Sequence, residues 1–147
     1  LVALMGIASE QSLITSRPGL RQGIIWGIAG FVALHLAPSF GLAPEVPGGA
    51  SADLEARQIW WFGTTLATSV ALWLFAFAQN RLVIALGVIV LLAPHIIGAP
   101  QVAQLRGPVP PEIAALFASR VLGVGLIAWV VLGATASHIF SRFSPSQ

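Results

Sequence analysis

The sequence predicts an all-α, polytopic transmembrane helical bundle: about four full spans plus a partial N-terminal one, with proline-broken helix ends on the outer side. Three observations carry this expectation. Hydrophobic residues make up 56% of the 147 and charged residues 8%, against about a quarter charged in a typical soluble domain. Several apolar windows reach the roughly 20 residues that cross a bilayer. Between these windows, Pro, Gly and the scarce charges gather into short polar stretches.

Residues 1–15 read as the end of a membrane helix, closed by Ser16, Arg17, Pro18 and Gly19. The sequence opens inside the apolar run LVALMGIA and not on Met. A signal peptide fits poorly, because no charged leader precedes the run and Glu10 and Gln11 follow it. The expectation is therefore one transmembrane domain over residues 1–147 that lacks an N-terminal segment. Residues 22–40 form the next span, in which Gly23, Gly27 and Gly30 recur at helical spacing and let a neighbouring backbone come close. An outer loop, 41–58, leads to a span at 59–78 that opens with Trp60 and Trp61, a pair suited to the headgroup interface. Gln79, Asn80 and Arg81 make a very short turn, so the span at 82–98 returns antiparallel beside its predecessor. Pro94 interrupts that span near its far end. A second outer loop, 99–111, precedes a segment at 112–140 that exceeds one span, which implies tilt or an interfacial first turn.

All seven basic residues are Arg, and the net charge is +2. That is too sparse for a nucleic-acid footprint, and it serves as topology signalling instead. Arg17, Arg21, Arg81 and Arg142 fall on one side, while Arg57 and Arg106 fall on the other with Glu45, Asp53, Glu55 and Glu112. The more basic side reads as cytoplasmic, which puts the C-terminus of a multi-pass chain inside. The absence of Cys excludes disulfides, thiol catalysis and thiolate metal sites. No Walker motif, phosphate-binding glycine loop or nucleophile–base set appears, so an enzyme is not expected, and ATP hydrolysis would come from another chain.

The stretch 30–57 gathers His35, Pro38, Glu45, Asp53, Glu55 and Arg57. A histidine in an apolar segment ahead of an acidic loop is costly unless it is used. His35 follows Gln22, and His95 follows Leu82, by the same number of residues. At 1.5 Å per residue both imidazoles stand about 20 Å from the inner surface, each beside a proline. If the two helices touch, they share a divalent transition-metal ion, with Glu45 or Asp53 supplying oxygen; the candidate metal ligands are His35, His95, Glu45 and Asp53. A structural alternative stands beside each ligand. A membrane histidine can simply bond a carbonyl freed by proline, and Asp53 and Glu55 can cap and charge the first turn of the following helix. His138 reads as interfacial, Arg120 as a structural ion pair or a side chain reaching the interface, and Trp26, Trp73 and Trp129 as packing or belt residues.

GFVALHLAPSFGLAPEVPG at 30–48, ADLEARQIWW at 52–61 and APHIIGAPQ at 93–101 together resemble the CbtA family of cobalt transporter subunits. The matching positions are His35, Pro38, Glu45, Pro47, Asp53, Arg57, Gln58, Trp60, Trp61, Pro94, His95, Gly98 and Pro100. The resemblance implies a cobalt ion as transported substrate with no tightly bound cofactor. It also implies a small, single-helix, His-bearing membrane partner of the CbtB type, and a further N-terminal hydrophobic segment. The residues alone imply a divalent cation with a preference for nitrogen and oxygen. The rival reading is a non-transporting accessory subunit of a larger membrane assembly, in which a membrane histidine holds a pigment or haem.

Overall fold

The computed structural model describes residues 19–48, 51–101 and 109–143. The expected N-terminal partial span and most of the loop at 99–111 lie outside them. Four helical segments occur among the described residues, and no strand. We number them α1 (Leu20–Ser39), α2 (Leu54–Phe77), α3 (Arg81–Ile97) and α4 (Pro111–Phe143).

Three of these helices, α1, α2 and α4, are long and apolar enough to cross a membrane. The fourth, α3, has 17 residues, about 25 Å at 1.5 Å per residue, and so is a shorter apolar helix rather than a fourth span of the same class. It is stopped by Gly98, whose φ of 90° lies where a side chain is strained. α4, at 33 residues, is about 50 Å long, in keeping with the excess length expected there.

Two helix ends differ from expectation. α3 runs through Pro94 to Ile97, and the Gly98 amide bonds the Pro94 carbonyl at 3.0 Å. Proline removes one donor in the last turns without ending the helix. α1 also runs past Pro38 to Ser39; its irregularity is a π-helical turn over Val32–Leu36, upstream of the proline. The start of α2 moves too. It begins at Leu54 rather than near Ile59, because Asp53 caps it: Asp53 Oδ2 accepts from the Ala56 amide at 3.1 Å. The Trp pair thus falls in the second turn of α2, where Trp60 is buried. Asn80 caps α3 in the same manner, accepting from the Val83 amide at 3.0 Å, and makes the short turn from α2.

The chain divides into two compact units, residues 1–31 with 124–147, and residues 32–123. In the first, a Cβ at Gly23 would strike the Gly133 carbonyl, and one at Gly27 the Trp129 carbonyl. The small-residue spacing in α1 therefore does what the sequence leads one to expect and seats the helix against backbone. The Ser137 hydroxyl donates to the Gly19 carbonyl at 3.0 Å in the same unit. In the second unit, α2 packs along α3 and against the π turn and end of α1. Its pattern is inside out relative to a soluble protein. Thr64 and Thr68 are fully buried, whereas Ile59, Phe62 and Leu66 are exposed. That is the arrangement hydrocarbon surroundings select, since lipid takes apolar side chains and leaves polar ones to the interior.

Candidate functional site

The prolines shape the region around the histidines. Pro38 cannot donate to the Leu34 carbonyl four residues earlier. Trp61 Nε1 of α2 donates to that oxygen instead, at 3.2 Å, and the Ser39 hydroxyl donates to the His35 carbonyl. The irregular end of α1 is thereby tied to the second turn of α2.

A cavity of about 580 Å³ lies in this unit, lined in part by Leu36, Phe40, Trp60, Leu92, His95 and Gln101. His95 is the titratable side chain in its wall. Two rings hold the imidazole edge to face: Trp60 at 5.9 Å and Phe40 at 6.1 Å between centroids. The last turn of α3 and the second turn of α2 thus bring an imidazole into a mostly apolar hollow, with Gln101 as a further polar group.

The other sequence-predicted ligands occupy different places. His35 is half-buried in the π turn and is not among the residues lining the cavity. Glu45 is paired with Arg57 at 3.2 Å, both side chains about 30% exposed, which ties the loop before α2 to that helix's first turn. Asp53 is exposed and engaged as the cap of α2, and Glu55 is exposed in the first turn. Among the described residues, no three of His, Asp and Glu converge into a set able to hold a metal ion. His138 is exposed near the end of α4. Arg120 is exposed and has no ion pair among the described residues, so the expected pair with a carboxylate is not formed there.

Five polar atoms of α2 were not anticipated. Arg57 Nε, Trp60 Nε1, Thr64 Oγ1, Thr65 Oγ1 and Thr68 Oγ1 are buried and have no hydrogen-bond partner among the described residues. An unpaired buried polar group costs roughly 1–3 kcal/mol, so a set of them marks a place where something polar is accommodated. The signal was in the sequence as Trp60, Thr64 and Thr68 at successive i, i+4 steps, masked by the reading of Trp60 as a belt residue.

In comparison with known families, the model described as "Probable cobalt transporter subunit (CbtA)" matches residues 1–141. No curated protein and no solved structure matches the chain.

Proposed function

Because the chain belongs to the CbtA family of probable cobalt transporter subunits, we propose that it admits a divalent cobalt ion from the outer face of a bacterial inner membrane, with His95 as the first protein ligand. The protein is a membrane transporter subunit and not an enzyme. The observation that carries the reading is the imidazole of His95 in the wall of an apolar cavity beside Trp60 and Phe40. Neutral imidazole suits late first-row divalent ions, with selectivity set by geometry.

The outer loop attracts the cation through Glu45, Asp53 and Glu55. Glu45 exchanges Arg57 for the ion, and His35 or Asp53 completes the ligand set when the end of α1 shifts about its π turn. π turns inside helices frequently mark such functional positions. The C-terminus faces the cytoplasm, on the side of Arg21, Arg81 and Arg142. As a subunit, the chain works with partners, and a small single-helix, His-bearing chain of the CbtB type is the one we assign. The apolar cavity with one imidazole also suits the rival reading, an accessory subunit holding haem or a pigment on His95.

Uptake of radioactive cobalt by cells expressing the full transporter tests this. His95→Ala lowers uptake by about tenfold or more at unchanged protein level, and Glu45→Gln lowers it less. Wild-type uptake by His95→Ala removes the ion site from this cavity. An absorption band in the purified complex that vanishes in His95→Ala establishes the pigment or haem reading instead.

A further inference from the structure

Arg57, Trp60, Thr64, Thr68 and Ala71 fall within an arc of about 80° around α2 at 3.6 residues per turn. This arc is the helix's buried face: Trp60 is 7% exposed, and Thr64, Thr68 and Ala71 are 0% exposed. Its polar atoms, Arg57 Nε, Trp60 Nε1, Thr64 Oγ1 and Thr68 Oγ1, are buried without a hydrogen-bond partner among the described residues, as is Thr65 Oγ1 just outside the arc. Threonines within helices commonly return their hydroxyl to a carbonyl one turn back. Thr135 of α4 does so, donating to Val131 at 2.9 Å and Leu132 at 3.0 Å. Thr64 and Thr68 do not.

The chemistry of the four groups narrows what meets them. An indole N–H and a guanidinium Nε–H only donate, while a threonine hydroxyl both donates and accepts. A bare cation satisfies neither donor. Water accepts from all four groups and donates onward to the hydroxyls, and buried water is the usual partner of polar groups that protein leaves unpaired. The steps from Trp60 to Thr64 to Thr68 are each about 6 Å along the axis, a gap that one water bridges with two hydrogen bonds.

We infer that the buried face of α2 from Arg57 to Thr68, closed to water in the state seen here, opens in another state of the transport cycle to a file of water molecules, and that the transported cation moves inward along it from the His95 cavity with part of its hydration shell retained. The identity of the cargo rests on the proposed function; the water file does not. Trp60 belongs to both features, as a wall of the cavity and as the second group of the file. The file covers about 16 Å, roughly half of a hydrocarbon core of about 30 Å. Ala71, fully buried and apolar, ends it, and one turn further the Phe75 ring lies against Gly87 of α3. When opened, this face is a half-channel closed at its inner end by apolar contacts, the form that alternating access requires of one state.

The chain contains no cysteine, so single cysteines report cleanly on single positions. In the full-length protein in native membranes, Thr64→Cys and Thr68→Cys are compared with Leu66→Cys and Val70→Cys, whose native side chains are 67% and 42% exposed and face lipid. The probe is a positively charged methanethiosulfonate: the thiolate attacks its sulfenyl sulfur, a mixed disulfide forms, and methanesulfinate leaves. Only an ionised thiol reacts, and thiols ionise where water reaches them, so the file positions label about tenfold faster or more than the lipid-facing ones. Equal rates at all four positions overturn the water file. Thr64→Val and Thr64→Ser then test conduction: Val lowers cobalt uptake several-fold at unchanged protein level, and Ser restores it. Fast labelling with wild-type uptake in Thr64→Val overturns the conducting role and leaves the hydrated face standing. Fast labelling and a several-fold loss in Thr64→Val, with wild-type uptake in His95→Ala, uphold the file and overturn the His95 site alone.

Discussion

Pro38 illustrates how one residue redirects a hydrogen bond across the second unit. Its missing amide hydrogen frees the Leu34 carbonyl, and Trp61 Nε1 answers it from α2 at 3.2 Å. Trp61→Phe keeps the ring and removes the donor, so it destabilises the protein by about 1–3 kcal/mol. In a Pro38→Ala background the new amide serves the same oxygen, and the cost of Trp61→Phe falls by about 1 kcal/mol. Unfolding of the four forms in detergent measures this cycle; equal costs in both backgrounds would show that the bond and the proline are independent. The proline and the indole are each plain in the sequence. Their meeting is not, because it joins positions 27 apart across two helices. The same holds for Glu45 and Arg57. The sequence places both near the outer loop, and the structure sets them 3.2 Å apart with Asp53 turned to capping.

Helices show the opposite balance. The apolar windows locate α1 to α4 within a few residues, since lipid imposes length and composition on any segment that crosses it. The discrepancies are at ends and irregular turns: Asp53 starts α2 early, α3 carries Pro94 within it, and α1 contains a π turn. Each is decided by a cap or a local hydrogen-bond exchange worth about 1 kcal/mol, too small to leave a mark on hydropathy. Where α1 meets α4 within the first unit, Gly133 leaves no room for a Cβ beside the Gly23 carbonyl. Gly133→Val therefore separates these segments and destabilises the protein by about 2 kcal/mol or more, read as an earlier loss of helical signal on heating in detergent. A thermal midpoint unchanged from wild type would mean that the close approach contributes nothing. Gly98→Ala, at φ 90° and ψ 147°, costs about 1–3 kcal/mol by the same measurement.

For the whole molecule, arginine placement makes the topological prediction. A fluorescent protein fused after Gln147 lights up in the cytoplasm, and an alkaline phosphatase fused there stays inactive. The reverse pair of results would invert the proposed direction of the His95 cavity. The buried polar face of α2 belongs to this scale as well, because it depends on what α1 and α3 leave unpaired within their unit.

What the sequence by itself determined is the solvent this protein lives in, the helical class, the places where chain is spent on loops, and the family. Those follow from composition and spacing, which the bilayer reads directly through the cost of unpaired backbone in hydrocarbon. Only the tertiary structure decided which polar groups meet. It joined Trp61 to the Leu34 carbonyl, set His95 between Trp60 and Phe40, and left Thr64 and Thr68 buried with hydroxyls unpaired. Hydrogen bonds and ring contacts act over a few ångströms, and that distance is settled by packing between segments far apart in the chain.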